Sequence, residues 1–199
     1  MRLTQNTINQ NPFEQFKIWY VEAANTALKL PNAVSLATVT ADGQPSSRMV
    51  LLKDFGEHGF IFYTNYQSNK AVELQSNSCG ALNFWWEPLH KQIRIEGRIK
   101  KVAAELSESY FAARPRESQI GAHASDQSKI VADAEFLEEQ YERYEKEFSG
   151  KAIARPKHWG GYCLVPDMFE FWQGQTARMH DRIRFMKQGK RWVTQRLAP

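Results

Sequence analysis

Three side chains near the C-terminal end of the chain have the types and the spacing to bind an anionic ligand together. Arg178, His180 and Arg182 occupy alternate positions in "ARMHDR", shortly after the aromatic run "FEFW". Alternate residues of a β-strand lie on one face, so the three side chains would lie side by side, with Asp181 on the opposite face. Like charges on one face cost stability unless an anion lies between them. The pattern favours an anion site beside an aromatic surface; a core tryptophan with surface arginines is the alternative.

A second candidate anion site combines hydroxyl groups with cationic side chains. In "YTNYQSNK", Tyr63 and Thr64 end a strand-like run and Lys70 lies at the start of the next helix, where backbone N–H groups also favour anions. Upstream, Arg48 and Lys53 lie five residues apart in "RMVLLK", so a strand would point them to opposite faces. Two solvent-exposed cations would be the simpler interpretation of an isolated strand, but the neighbouring hydroxyl groups favour a shared anion site.

A third group has the donors that a phosphate monoester needs. Tyr110, Arg114 and Ser118 recur every four residues in "ESYFAARPRESQIG", so a continuous helix would present them on one face, although Pro115 would bend it. A phenol, a guanidinium and a hydroxyl group together can bind a phosphate through charge-assisted hydrogen bonds. A solvated helix surface would explain the arginine, but it gives no reason for the group.

Composition and missing motifs argue against several classes of function. The 199-residue chain has a net charge of +4 and 13% aromatic residues, which suits a flat, anionic ligand. No run of like charges forms a basic tail, so nucleic-acid binding is not favoured. The glycine-rich phosphate motifs, H-E-x-x-H and G-x-S-x-G are all missing, which argues against common nucleotide-binding loops, zinc hydrolases and serine acyl-transferases. Any phosphate must therefore be bound by separate side chains.

The sequence also predicts where the protein works. No apolar leader and no run of about 18 apolar residues is present, so we expect a cytoplasmic protein that does not enter a membrane. Cys79 and Cys163 match no metal-ligand spacing, and their apolar surroundings predict two buried free thiols.

Helices are predicted at the start and in the middle of the chain. Asn11-Pro12 has the residue types of a helix N-terminus, and apolar residues then recur at helical spacing. The block 103–150 reads as two short helices separated near Pro115, followed by one long helix over "SKIVADAEFLEEQYERYEKEF". Residues 1–10 are polar and are expected to be mobile unless a ligand or partner orders them.

Strands dominate on both sides of this helical block. Asp42-Gly43, a pair typical of hairpin turns, follows the first predicted strand. After the helical block, "WGGYCLV" and "MFEFWQG" predict two separate strands, followed by "RIRFMK" and "RWVTQRL". Short strands joined by hairpins favour a closed or split antiparallel barrel, because closure removes exposed edges. We therefore predict one domain over 1–199, mainly β with flanking helices.

The combined motifs resemble one enzyme family. "RMVLLK", "FYTN", "RPRESQIGA", "QSKI", "FWQG", "RMHDR" and the terminal "RLAP" occur in this order. Together they resemble the pyridoxine/pyridoxamine 5′-phosphate oxidase family over nearly the whole chain. Members of this family are split-barrel homodimers with FMN at the subunit interface, so the resemblance implies this fold, this cofactor and this assembly.

The resemblance also implies the site residues. Those implied for FMN are Arg48, Met49, Val50, Leu51, Leu52, Lys53, Tyr63, Thr64, Lys70, Gln92, Gln127, Ser128, Trp172 and Arg182. Those implied for the substrate are Lys53, Tyr110, Arg114, Ser118, Arg178, Met179 and His180, with Arg178 and His180 as catalytic residues. The reaction implied is oxidation of pyridoxamine or pyridoxine 5′-phosphate to pyridoxal 5′-phosphate, in which the flavin takes a hydride and dioxygen reoxidises it to give hydrogen peroxide.

One departure from the family pattern and three alternatives accompany this hypothesis. The family usually has arginine where this chain has Asn69, so we expect weaker retention of FMN. A related flavin oxidase acting on another ring, as in phenazine biosynthesis, would share the fold. A non-catalytic flavin- or haem-binding barrel would have no need of a second phosphate site. An RNA-binding barrel would need one continuous basic groove, which the separate cationic groups do not favour.

Overall fold

A nine-stranded antiparallel sheet, curled into a half-barrel, forms the body of the structure, a computed structural model that describes residues 2–199. The strands are β1 (Ala33–Val39), β2 (Pro45–Leu51), β3 (Asp54–Gly56), β4 (Gly59–Asn65), β5 (Cys79–Trp86), β6 (Lys91–Lys101), β7 (Trp159–Gln173), β8 (Asp181–Gln188) and β9 (Arg191–Arg196). The helices are α1 (Pro12–Ala24), α2 (Asn69–Ser76), α3 (Ala104–Ala112), α4 (Arg116–Ala124) and α5 (Ala134–Glu147). The predicted fold class, mainly β with flanking helices, is confirmed.

The strand β7 joins two parts of the sheet. The strand order is β2-β1-β5-β6-β7-β4-β3, and β8 pairs with β7 and with β9. The first part of β7 pairs with β4 and the second part with β8, while β6 pairs along both parts. The prediction of two separate strands here was wrong, because a register shift at Gly97 of β6 lets one strand continue. A Cβ atom at Gly97 would lie 2.1 Å from the carbonyl oxygen of Val165, so this approach requires glycine.

The core lies on the inner face of the sheet, and α1 covers it. Ring contacts join the helix to the sheet, with centroid distances of 4.9 Å between Phe16 and Phe60 and 5.3 Å between Trp19 and Phe171. Alternate strand residues fill this face, as expected for a sheet with one buried side. They include Leu36, Leu82, Phe84, Ile93, Ile95, Phe169, Ile183 and Phe185. The opposite residues of the same strands therefore form an outer face that is free to carry polar groups.

The N-terminal segment packs against this core instead of lying free. Leu3 and Ile8 are buried with the core residues, and the backbone N–H of Asn9 donates to Oε1 of Gln15, 2.8 Å away. The expectation of a mobile segment is therefore corrected for residues 2–10, since two apolar side chains in an otherwise polar run are enough to dock it. Met1 lies outside the described residues.

The long helix of the central block is shorter than predicted. α5 begins at Ala134, where Asp133 caps it by accepting a hydrogen bond from the backbone N–H of Phe136. Ile130, which belongs to the stretch predicted as the long helix, is fully exposed in the preceding loop. In the part of the chain that the structure describes, no helix is both long and apolar enough to cross a membrane.

The two cysteines lie in different environments. Cys163 is buried on β7, and burial raises the pKa of its thiol. Cys79 is exposed at the start of β5. The prediction of two buried free thiols was therefore wrong for Cys79, because its strand position faces the outer side of the sheet.

Candidate active site

A cavity of about 1000 Å³ opens between β2, β4, the start of α2 and the connection between α3 and α4. Its volume lies at the upper end of the range for small-molecule sites, roughly 300–1,000 Å³. The cavity brings together residues of both predicted groups. It is lined by Arg48, Met49, Val50, Leu51, Lys53, Tyr63, Thr64, Lys70, Gln127 and Ser128 of the cofactor group, and by Tyr110, Arg114 and Ser118 of the substrate group. Arg48 and Ser128, which are 80 positions apart in the sequence, thus share one cavity.

Lys70 is a buried cation held by neutral oxygen atoms. Its Nζ donates to Oγ1 of Thr64 (3.1 Å), Oγ of Ser68 (3.1 Å) and Oε1 of Gln127 (3.2 Å). Burial, and then the nearby charge of Arg48, lower the pKa of Lys70 to about 8. A buried ammonium group without a carboxylate among its hydrogen-bond partners in residues 2–199 is well suited to accept an anionic ligand.

Arg48 is fixed on the cavity wall by a carboxylate that the sequence analysis did not single out. Its Nη2 lies 3.1 Å from Oε2 of Glu73, which also accepts hydrogen bonds from Ser46 (2.8 Å) and Thr38. Burial alone would raise the pKa of Glu73, but these hydrogen bonds and the charge of Arg48 outweigh it and lower the pKa. The sequence feature that could have identified Glu73 as a site residue is its position three residues after Lys70, on the same side of α2.

Arg114 reaches the cavity with unsatisfied hydrogen-bonding capacity. Its guanidinium carbon lies 4.5 Å from the centre of the Trp159 ring, which is a cation–π contact. Its Nη1 is buried and has no hydrogen-bond partner within residues 2–199. Burial lowers the pKa of Arg114, because its charge is only partly compensated there. An unpartnered guanidinium nitrogen beside a cavity fits the binding of a phosphate oxygen.

Aromatic rings support the wall from which Arg114 extends. The rings of Tyr63 and Tyr110 stack with centroids 3.9 Å apart, and Tyr63 also stacks on Trp159 at 5.4 Å. Burial, followed by the neighbouring Tyr110, raises the pKa of Tyr63 to about 12, so its phenol stays protonated and can donate. Trp159 lines the cavity and was missed by sequence reasoning, which placed it only as a strand residue.

Gln92, Trp172 and Arg182 form a second group, on the outer face of the sheet. They lie opposite one another on β6, β7 and β8. Nε of Arg182 donates to Oε1 of Glu170 (2.8 Å), and its Nη1 donates to the carbonyl of Ala198 (3.0 Å). The hydrogen bond to Glu170 raises the pKa of Arg182. These contacts fix the guanidinium beside the indole ring of Trp172.

The predicted strand through Arg178 and His180 was wrong. Residues Thr176–Arg178 form a short 3₁₀ turn, and Ala177 and Arg178 have positive φ angles of 53° and 58°. The strand β8 begins only at Asp181. Arg178, His180 and Arg182 therefore do not alternate on one strand face, and only Arg182 lies on β8. Local turn geometry overrides the alternation of residue types here.

Seven predicted site residues do not line the large cavity formed by residues 2–199. Leu52 is buried in the core, and the others are Gln92, Trp172, Arg178, Met179, His180 and Arg182. Met179 and His180 line a separate cavity of about 420 Å³ beside both chain ends, and the His180 ring lies 4.6 Å from that of Trp172. One chain thus carries the two halves of the predicted site on different surfaces: one half lines the large cavity, and the other half consists of the outer-face group and the residues around His180.

Comparison with known proteins places both halves in one family. Residues 20–147 match the family model of pyridoxamine 5′-phosphate oxidase, and residues 159–199 match the pyridoxine 5′-phosphate oxidase C-terminal dimerisation region. The chain belongs to the pyridoxine/pyridoxamine 5′-phosphate oxidase family. The resemblance stated from the sequence motifs is thereby confirmed, and so is the predicted class of activity, an oxidoreductase.

Curated relatives of this oxidase family are similar over almost the whole chain. A pyridoxine/pyridoxamine 5′-phosphate oxidase from Acaryochloris marina is 47% identical over 99% of this chain and 90% of the relative. One from Bordetella petrii is 48% identical over 99% of this chain and 93% of the relative. The match to the dimerisation region supports the homodimer predicted from the sequence.

Two solved structures share the fold of this chain. PhzG from Burkholderia lata 383, in complex with tetrahydrophenazine-1-carboxylic acid, superposes with a TM-score of 0.93 at 29% identity, covering 99% of this chain and 98% of PhzG. A pyridoxamine 5′-phosphate oxidase-related, FMN-binding protein from Nostoc punctiforme superposes with a TM-score of 0.76 at 14% identity, covering 96% and 100% of the two chains. The second likeness shows the split-barrel fold alone.

Proposed function

We propose that the chain is an FMN-dependent oxidase that converts pyridoxamine 5′-phosphate or pyridoxine 5′-phosphate to pyridoxal 5′-phosphate, with dioxygen as acceptor and hydrogen peroxide as product. The amine substrate also consumes one water molecule and releases ammonia. The observation that carries this proposal is the presence of two separate groups of cationic and hydroxyl side chains in one cavity, each suited to bind a phosphate. Lys70 lies beside Arg48, and Arg114 lies with Ser118 on the α3–α4 side. A flavin nucleotide and a phosphorylated pyridine bring one phosphate each and would use both groups.

The residues around Lys70 fit the phosphate of FMN. The buried Nζ is bonded only to neutral oxygens among the described residues, and Arg48 supplies a second charge nearby. Both cations would form charge-assisted hydrogen bonds with a phosphate, and Thr64 and Ser128 line the same wall. Bound there, the flavin would supply the redox chemistry, while the chain supplies charge and orientation.

The residues around Arg114 fit the phosphate of the substrate. The unpartnered Nη1 would gain the acceptor that it lacks, and Tyr110, Ser118 and Lys53 line the same cavity with further donors. Holding the phosphate at this point fixes the distance from the cofactor at which the pyridine ring lies, which lowers the entropic cost of reaching the reactive geometry.

The outer-face residues would complete the site from a second subunit. Gln92, Trp172 and Arg182 lie away from the cavity of their own chain, and the ring of His180 packs against that of Trp172. Arg178 and His180 also belong to the dimerisation region that begins at residue 159. A two-fold dimer has two equivalent sites, and each can combine the cavity of one subunit with the outer face of the other. We infer that FMN lies at this subunit interface.

Within this composite site, the side chains have separate tasks. Arg178 and His180 would contact the pyridine ring and the amine or alcohol group of the substrate. Gln92 and Arg182 would present N–H donors to the flavin ring, where fixed donors stabilise developing negative charge. Proton removal by Arg178 is not part of this proposal, because a guanidinium group stays protonated in proteins.

The proposal is tested by supplying the purified protein with FMN and pyridoxamine 5′-phosphate. We expect oxygen consumption, hydrogen peroxide and pyridoxal 5′-phosphate in equal amounts. The similarity to PhzG favours one second candidate, a flavin oxidase of a reduced phenazine carboxylic acid, and this substrate is assayed in parallel. Turnover of the phenazine substrate without turnover of pyridoxamine 5′-phosphate would overturn the proposal.

A further inference from the structure

Asp181 is a buried carboxylate directly after the loop that carries Arg178 and His180. It is the first residue of β8, and none of its side-chain surface is exposed. Burying an isolated carboxylate is costly, so its retention here requires partners that stabilise the charge. The sequence placed Asp181 on the face opposite to the cations of its own segment, and the structure shows that its partners come from elsewhere.

Asp181 connects three segments that are distant in the sequence. Its Oδ2 accepts hydrogen bonds from the backbone N–H of Leu3 (3.3 Å) and from Nε2 of Gln175 (3.0 Å). Nε of Arg2 lies 3.5 Å from the same oxygen, and Nη2 of Arg196 donates to Oδ1. Burial alone would raise the pKa of Asp181, but these donors and charges outweigh it and lower the pKa, so the carboxylate is ionised.

The partners of Asp181 hold the 174–180 loop from two sides. Gln175, whose side chain bonds Asp181, uses its backbone N–H to donate to Nδ1 of His180 (3.1 Å). This bond leaves the proton of a neutral His180 on Nε2. Arg2 also donates to the carbonyl of Met179 (3.4 Å). Asp181 is thus linked to Met179 through Arg2 and to His180 through Gln175.

The loop needs such support, because its backbone is strained. Ala177 and Arg178 both have positive φ angles, which cost energy for residues other than glycine and persist only when surrounding contacts enforce them. Arg178 and Met179 are exposed and have few contacts of their own in the described chain. The contacts of Asp181 with its three neighbouring segments supply that support.

We propose that Asp181 is a positioning residue, which holds the 174–180 loop in the conformation that presents Arg178 and His180 to the substrate. It acts through Gln175 and through the N-terminal residues Arg2 and Leu3. This inference rests on the proposed function, since it assigns a role to the loop in that reaction. It makes the docked N-terminal segment a structural part of the active site.

The test compares Asp181→Asn with the control Asp167→Asn in the full-length, FMN-loaded protein. Asp167 is exposed on β7, where the same substitution removes a charge without a buried contact. For Asp181→Asn we expect the KM for pyridoxamine 5′-phosphate to rise by roughly tenfold or more, with unchanged FMN affinity, because the substrate-binding loop is less well held. The control should match the wild type in both quantities.

Hydrogen exchange provides a readout that does not depend on activity. Backbone amides of 174–180 and of 2–8 should exchange faster in Asp181→Asn than in Asp167→Asn, while those of α2 and β4 should not change. Unchanged exchange in 174–180, or an unchanged KM, would overturn the inference. Gln175→Ala removes one of the two links between Asp181 and the loop and keeps the carboxylate; it should also increase the KM, even if Asp181→Asn fails to fold.

The two proposals can fail separately. If the wild-type protein does not oxidise pyridoxamine 5′-phosphate, the proposed function fails, and the exchange of 174–180 still shows whether Asp181 holds the loop. If the wild type is active and Asp181→Asn retains its KM, only the positioning role is refuted.

Discussion

Nζ of Lys70 lies 3.2 Å from Oε1 of Gln127, so an amide oxygen stands beside the buried cation of the cavity. A neutral oxygen satisfies the geometry of the ammonium group but leaves its charge without a counter-ion. A phosphate at this place would supply that counter-ion. FMN binding should therefore depend on the charge of Lys70.

FMN affinity should fall as the pH rises through about 8. Burial and the charge of Arg48 lower the pKa of Lys70 to about 8, against the opposing effect of Glu73, so the amine of the free protein loses its proton above that pH. Below pH 8 the amine is already charged, so the Kd for FMN should not change with the charge of Lys70. Above pH 8 the amine must take up a proton when FMN binds, so the Kd should rise by up to about tenfold per pH unit.

Flavin fluorescence titrations between pH 6.5 and 9.5 measure this dependence. Riboflavin, which lacks the phosphate, should show no midpoint near 8, and Lys70→Arg should lose the midpoint because arginine stays charged. The lowered pKa of Lys70 also affects the stability of the apoprotein. Between pH 8 and 10.5 Lys70 is protonated in the unfolded chain but largely deprotonated in the folded one, because its pKa is about 8 in the folded chain and 10.5 ordinarily. The contribution of Lys70 to the free energy of unfolding therefore rises with pH in this range. An FMN affinity that is flat across pH 8 would contradict the placement of the phosphate at Lys70.

Asn69→Arg should strengthen FMN binding. Asn69 lines the cavity next to Lys70, and the resemblance noted in the sequence implies an arginine at this position. A new charge-assisted hydrogen bond is worth about 1.5–3 kcal/mol, which corresponds to a Kd lower by roughly tenfold or more. The measurement is FMN affinity of the variant beside that of the wild type, with Lys29→Arg as an exposed control. Equal affinities would contradict the expectation that Asn69 weakens the retention of FMN.

Arg114→Gln should impair substrate binding and spare the cofactor. The substitution keeps a polar group on α3–α4 but removes the charge whose Nη1 has no partner in the described structure. We expect the KM for pyridoxamine 5′-phosphate to rise roughly 10- to 100-fold, as for loss of a hydrogen bond between charged groups. FMN affinity should be unchanged. A selective loss of FMN would instead move Arg114 to the cofactor phosphate.

Arg178→Ala should keep the bound flavin and lose most turnover. Arg178 is exposed on the 174–180 loop and does not line the cavity that the described residues form around Lys70. Absorption spectra measure flavin content, and peroxide release measures turnover. Loss of flavin without a selective loss of turnover would mean that Arg178 belongs to the cofactor site.

Local sequence patterns predicted much of the fold and of the cavity. Hairpin signals and apolar alternation located most strands, and Asn11-Pro12 marked the start of α1, because turns and caps depend on residues close in sequence. The candidates Lys70 and Arg114 could be found from residue type and spacing alone. They are joined in one cavity by the sheet, which brings the ends of β2 and β4 close to α3–α4.

Non-local contacts account for what the sequence could not predict. The 174–180 loop has the residue alternation of a strand, yet two positive φ angles break it, and Asp181, which follows the loop, is paired with Arg2 and Arg196 from opposite ends of the chain. Ile130 matched a helix face, but the Asp133 cap starts α5 later. No local pattern reports such pairings.

The central claim, that each site combines the cavity of one subunit with the outer face of the other, is tested most directly with mixed dimers. Subunits with Arg114→Gln and subunits with Arg178→Ala are co-expressed with different tags, and dimers that carry both tags are purified. Two-fold symmetry predicts one intact site of two, hence about half of the wild-type activity. A dimer of one wild-type subunit and one subunit with both substitutions should then be nearly inactive. The reverse outcome, an inactive first dimer and a half-active second one, would place the complete site within a single chain and contradict the account.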